Sequence, residues 1–379
     1  MVISSTSARL LYILSVVSLL LYIITTLADI EILNQYNGSG LLLILFFLLL
    51  ALAFRGHELL KGYSFTIMIF AAVSAAMYYP QYFTNVGDFK LSKLIVPLMQ
   101  IIMFGMGTGL SMRDFARVVR MPKGVIAGVL CHYLIMPLVA FGITRIFQFP
   151  DEIAAGIILI GSCPNGLASN VMTYLARANL ALSVTLTAIS TFIAPFVTPF
   201  FMSLLAGQYV EIDFWAMVWD ITKIVIIPVT AGLVFNYFLH GKFKWLDEIM
   251  PVISMGGIAL IIVVITSAGR DSLLEVGPKL IAAVIMHNMS GYVLGYLSAR
   301  TLRMKERDCR TIAIEVGLQN AGLGSSLALA LGKLSTVGLA AAVFAPVMNI
   351  TGSSLALWFR NKPLPQEESF DSEEVVKHA

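Results

Sequence analysis

Of the 379 residues, 58% are hydrophobic and 12% charged, where a soluble domain has about 45–50% and about 25%, so this is the composition of a chain that resides in lipid. A net charge of +3 is too small to indicate a nucleic-acid partner. Cys131, Cys163 and Cys309 are odd in number and lack paired metal spacing, which argues against a disulfide framework and a zinc site.

A helix needs about 20 apolar residues to cross the hydrocarbon, with about 17 as the lower limit. In chain order, twelve segments qualify. The first, about 8–28, is longer than the ~7–15-residue core of a secretory signal and has no small-residue cleavage site, so it reads as a retained helix. The second, 39–55, is built on LLLILFFLLLALAF. The others run over 64–81, 92–111, 124–146, 153–175, 182–206, 214–239, 249–268, 279–299, 311–332 and 337–359. Connections carrying Arg55 and Lys61, Arg113 to Lys123, Arg177, Lys242 and Lys244, and Arg300 to Arg310 alternate with acidic or sparsely charged ones such as Asp29/Glu31, Asp151/Glu152 and Glu211/Asp213. That alternation predicts a multi-pass protein of the cell (plasma or inner) membrane with both termini cytoplasmic. The acidic tail 363–379 has no apolar period and is expected to be disordered and cytoplasmic.

Internal similarity divides the chain. VIAGVLCHYLIMPLVAF (Val125 to Phe141) resembles LIAAVIMHNMSGYVLGY (Leu280 to Tyr296), and the offset that pairs His132 with His287 also pairs Asn165 with Asn320. Residues 63–208 and 209–362 then form two repeats of five spans each, preceded by two extra transmembrane helices in residues 1–62. Five is odd, so the second repeat is inverted relative to the first.

Two spans look broken. GSCPNGLASNVMTYL carries Pro164 and Gly166, and EVGLQNAGLGSSLAL, at the matching place, carries Gly317 and Gly322. Backbone that leaves the helix at membrane depth needs replacement partners, because lipid supplies none. Glu315 lies in the second of these spans with no lysine or arginine in the span to pair with it, and an intramembrane carboxylate is usually paired and functional. A bound cation would satisfy the carboxylate, the freed carbonyls and nearby hydroxyls together. Ser183 and Thr187, four residues apart, share one helix face, while Ser190, Thr191 and Thr198 read as close-packing residues.

These motifs, with His287 and Asn288 between them, resemble the bile acid:sodium symporter family, particularly its bacterial members, from about Phe65 to Arg360. The resemblance implies an all-α membrane protein with ten helices in two inverted five-helix repeats. A panel domain (spans 3, 4, 8 and 9) would face a core domain whose two broken helices cross. It also implies a first sodium site of Ser169, Asn170, Ser183, Thr187 and Glu315. A second would use Glu315, Val316, Leu318, Gln319 and position 132, where bacterial members commonly have glutamine and this chain has His132. Imidazole nitrogen is a poor sodium ligand. The second site therefore has three possible fates: His132 acts through water, the site is lost, or a proton replaces that sodium. Alternatively, His132 and His287 are matched packing residues. The substrate cavity would be lined by Asn165, Leu167, Ala168, His287, Asn288, Asn320, Met348 and Asn349, with Asn165 and Leu167 standing where the family often has glycine and threonine.

The function so implied is sodium-coupled symport of a small organic anion, bile-acid-like, pantoate-like or another carboxylate or sulfonate, by alternating access. Sodium is the coupling ion and no other cofactor is expected. A related metalloid (arsenite-type) efflux carrier with Cys163 as the thiol, and a receptor or scaffold on the same fold, are the competing readings. No nucleophile and base can be placed together, so an enzyme is not expected.

Overall fold

The computed structural model describes residues 5–28, 38–57, 60–239 and 244–365; the acidic tail beyond 365 lies outside them. The described chain is helical apart from a small hairpin. The elements are α1 (Ser5–Leu27), α2 (Gly38–Arg55), α3 (Ser64–Tyr78), β1 (Asn85–Val86), β2 (Phe89–Lys90), α4 (Ile95–Thr108), α5 (Met112–Arg120), α6 (Pro122–Phe147), α7 (Asp151–Ser162), α8 (Ala168–Leu175), α9 (Leu180–Phe201), α10 (Phe214–Ile221), α11 (Ile227–Leu239), α12 (Lys244–Ala268), α13 (Arg270–Thr301), α14 (Glu306–Gly317), α15 (Ala321–Ala330) and α16 (Val337–Arg360). A π turn, Thr222–Ile226, joins α10 to α11.

Each of the twelve apolar segments coincides with a helix or helix pair. Eight stretches among the described residues are long and apolar enough by themselves to cross a membrane. Of the remaining four, α3 is short, α12 has its apolar part in Val252–Ala268, and the other two are the broken pairs α7/α8 and α14/α15. Two boundaries differ from the sequence reading for one reason: apolarity marks the bilayer, not the helix. α13 begins nine residues earlier than the predicted 279, through Arg270, Asp271 and Glu275. Similarly, Arg310 belongs to α14 rather than to a loop. It is buried, donating to Glu306 Oε1 (2.9 Å) and to the Phe359 carbonyl (2.9 Å), and so clamps the end of α16.

Helices α3, α4, α10/α11 and α12 pack on one another, with α2 against α3 and α1 against α2. Helices α6, α9, α15 and α16 pack around α7, whose residues Ile153 to Ser162 are all buried. A helix apolar on every face belongs in the middle of a bundle. Lipid is as apolar as these side chains, so their association depends on close packing rather than on hydrophobic transfer. Small residues supply it: a Cβ on Gly156 would fall 2.3 Å from the Val337 carbonyl oxygen, and α16 presents the run Ala340 to Ala342.

α7 and α14 begin 155 residues apart, at Asp151 and Glu306, and end 155 apart, at Ser162 and Gly317. The start of α7 is also tied to the loop between α15 and α16. Glu152 accepts from Lys333 Nζ and from Thr336 Oγ1, the latter at 2.5 Å. The Lys333 bond first, then that of Thr336, holds the Glu152 carboxyl below the usual range. A carboxyl depressed in the folded state contributes stability above its unfolded value of about 4.3, and that stability is lost as pH falls through the folded value. The side chains are 36% and 39% exposed, so Glu152→Gln is expected to cost under about 1 kcal/mol at pH 7. The difference in melting temperature between wild type and variant should shrink from pH 7 towards pH 4; a constant difference would show that the charge is not its source.

Candidate functional site

The two helix breaks meet. Cys163 and Leu318 are extended (φ −71°, ψ 155° and φ −102°, ψ 113°), and Asn165 and Gln319 form an antiparallel bridge. Gly166 N donates to the Leu318 carbonyl (3.1 Å) and Asn320 N to the Pro164 carbonyl (2.8 Å). Each break is thus a partner for the other. Pro164 stops α7 by removing a donor and disfavouring helix at Cys163. The second break has no proline; Gly317 ends α14 where a Cβ would fall 2.2 Å from the Tyr292 ring. The Asn320 side chain then starts α15 by accepting from Leu323 N (3.0 Å).

Side chains satisfy the other freed carbonyls. Thr198 Oγ1 donates to Ser162 O (2.7 Å), His132 Nε2 to Cys163 O (2.9 Å), Asn165 Nδ2 to Glu315 O (2.7 Å), Gln319 Nε2 to Val316 O (3.0 Å) and Asn288 Nδ2 to Gly317 O (2.7 Å). Unpaired backbone buried in an apolar interior would cost several kcal/mol per group, and these donors remove that cost.

Against this scaffold, α8, α9 and α14 gather an oxygen cluster around Glu315, which is fully buried. Ser183 Oγ contacts Glu315 Oε1 and lies 2.8 Å from Asn170 Oδ1. Thr187 Oγ1 lies 3.1 Å from Glu315 Oε2, 3.4 Å from Asn170 Oδ1 and 3.3 Å from Ser169 Oγ. All five residues of the expected first sodium site are therefore within reach of one another. Three hydroxyl hydrogens cannot serve all these oxygen–oxygen approaches. An oxygen-rich cluster around one buried carboxyl group has the ligand type that a hard cation prefers. Among the described residues no lysine or arginine pairs with Glu315, and no group of three or more His, Cys, Asp or Glu side chains suits a softer metal.

Besides the Ser183 and Thr187 hydroxyls, Glu315 has an amide partner from the first break: Asn165 Nδ2 donates to Glu315 Oε2 at 2.8 Å. The two histidines are alike in their bonding. His132 Nε2 faces the Cys163 carbonyl and His287 Nε2 the Met136 carbonyl, each at 2.9 Å. A carbonyl only accepts, so each Nε2 carries the proton and each Nδ1 is a buried acceptor without a partner. Gln319 Oε1 is likewise unpartnered.

The residues expected at the substrate cavity divide. Leu167, Ala168 and Asn349 are half-buried. His287 and Asn288 are fully buried, and Asn288 is engaged at both ends, by Gly317 O and by Thr351 Oγ1 (2.5 Å). Met348 and Asn320 are also buried. Cys163 is fully buried. A crevice of about 660 Å³ opens elsewhere, between α10 and the end of α15, with Glu211, Asp213 and Asp220 among its lining; none of the oxygen-cluster residues reach it.

An all-helical apolar chain with two broken helices meeting at a buried carboxylate has the build of a secondary transporter. A sequence model of the Sodium Bile acid symporter family matches residues 96–276. The chain is 41% identical over 302 residues to the uncharacterized sodium-dependent transporter YocS of Bacillus subtilis, spanning 79% of this chain and 92% of that protein. It is 36% identical over 271 residues to the probable sodium/metabolite cotransporter BASS1 of Arabidopsis thaliana (71% and 68%). It is 30% identical over 254 residues to the human ileal sodium/bile acid cotransporter (65% and 71%). The chain belongs to the sodium bile acid symporter family and is a membrane transport protein, not an enzyme.

Proposed function

We propose that the protein is a sodium-coupled symporter of a small organic anion, a carboxylate or sulfonate, working by alternating access. The observation that carries this reading is the oxygen cluster of Ser169, Asn170, Ser183, Thr187 and Glu315 at the meeting of the two breaks. Its ligands come from three helices and both broken segments, so a cation bound there fixes α8 and α9 against α14. The relatives named as sodium-dependent transporters or cotransporters support sodium as that cation.

The common offset of α7 and α14 supports the two inverted repeats, 63–208 and 209–362. In this reading α3, α4, α10/α11 and α12 form the panel, and the group around α7 rocks against it. The extra helices α1 and α2 travel with the panel, since α2 packs on α3. Both termini are cytoplasmic, in the cell membrane.

A thermal-shift screen of purified protein tests the proposal. Sodium in place of choline should raise the melting temperature, and one class of organic anion should raise it further only with sodium present. Ligand at 100 times its Kd adds about 2.7 kcal/mol by mass action. Equal melting in sodium and choline across taurocholate, pantoate and simple sulfonates would refute sodium symport.

A further inference from the structure

The two sides of Glu315 differ in chemistry. The side facing α8 and α9 offers the Ser183 and Thr187 hydroxyls, which can donate to the carboxyl or turn their oxygens to a cation, and the Asn170 amide oxygen. The side facing the first break offers hydrogens. Asn165 places its amide nitrogen 2.8 Å from Glu315 Oε2 and 2.7 Å from the Glu315 carbonyl. Both are acceptors only, so the NH₂ group and not the amide oxygen points there, and both its hydrogens are used. Neighbouring backbone oxygens each already accept one hydrogen bond: Val316 O from Gln319 Nε2, Leu318 O from Gly166 N and Cys163 O from His132 Nε2. The side-chain acceptors there without any partner are Gln319 Oε1 and His132 Nδ1, and one of these is nitrogen, a poor ligand for a hard cation.

The geometry points to Asn165 as a positioning residue that stands in for a second cation beside Glu315, so that one sodium ion binds per chain. This rests on the sodium-symport reading above. Asn165 is 2% exposed and is held by the bridge to Gln319, so its amide is fixed across the two breaks. It hydrogen-bonds the carboxylate on one side while leaving the charge to be neutralised from the other. One sodium makes the buried site neutral, whereas two would leave a net positive charge among fully buried groups. A monovalent anion carried with one sodium moves no net charge, so the membrane potential does no work on the cycle.

The test is equilibrium binding of ²²Na⁺ to the purified full-length protein. Wild type should bind one ion per chain along a hyperbolic curve. Asn165→Asp keeps the shape of the side chain but replaces the donor with an oxygen anion, and is expected to bind two. Asn165→Gly combined with His132→Gln removes the donor and supplies an amide oxygen, and should bind two with a sigmoidal curve. Two ions per wild-type chain overturns the inference whatever the variants do, and one ion in either variant, once shown folded by gel filtration, overturns it as well. No sodium binding to wild type at all would instead refute the symport reading itself.

Discussion

Replacing Glu315 with alanine is expected to abolish the sodium-dependent rise in melting temperature and any sodium-dependent uptake. Glu315 is the one carboxyl side chain in the oxygen cluster, and each of the others is a hydroxyl or amide. Losing one partner of a buried charge pair costs about 3–5 kcal/mol, which at about 1.4 kcal/mol per decade is over 100-fold in sodium affinity. Truncation also strands donors: Ser183 Oγ and Asn165 Nδ2 each lose a carboxylate oxygen. Glu315→Gln separates the two effects. It keeps one oxygen acceptor and removes the charge, so the sodium response should vanish while the melting temperature in choline stays near or above that of wild type. A sodium response in Glu315→Gln within threefold of wild type would show that the carboxylate is not the cation's counter-charge.

The oxygen cluster proposed as the cation site was legible in the sequence because its residues stand out against an apolar background. Ser183 and Thr187 fall one helical turn apart, and Glu315 is a lone carboxylate in a span with no basic partner. The first break announces itself by Pro164. The second carries no proline and could be placed only by the offset that pairs Asn165 with Asn320. What could not be read was which polar groups satisfy each other. The Asn165 bond to Glu315 spans 150 residues and depends on the register in which the breaks cross, and register is a property of packing. For the same reason His132, His287 and Asn288 read as cavity or ligand candidates, although the fold uses their Nε2 and Nδ2 groups to satisfy carbonyls of α6 and the breaks. One missed element did carry a local signal. α5 opens with a capping box in which Ser111 N and Oγ meet Asp114 Oδ2 at 2.7 and 2.8 Å. A Ser-x-x-Asp spacing announces such a start, but a criterion of apolar length passes over an amphipathic helix of nine residues.

If the crossing backbones set the spacing of the cluster, then Gly166→Ala should damage sodium binding without adding or removing any ligand. A Cβ at Gly166 would stand 2.6 Å from the Gln319 carbonyl oxygen and 3.2 Å from its carbon. That is backbone, and it cannot rotate aside. The two breaks must separate, lengthening the Gly166 N to Leu318 O bond and moving Ser169, three residues on, relative to Glu315. Inserting a methyl group into a packed site costs about 1–3 kcal/mol, so the protein should still fold, with a lowered melting temperature in choline. The informative quantity is the sodium increment on top of it, which should fall by tenfold or more in apparent affinity. Gly324→Ala is the matched control. There the new Cβ meets only the Ile160 Cδ1 methyl at 3.3 Å and the Ala341 and Cys163 side chains at 3.5 Å, so a small shift accommodates it and the sodium increment should match wild type. Equal sodium increments in both variants would mean that the cluster tolerates separation of the breaks, and that the crossing holds the fold together without tuning the cation site.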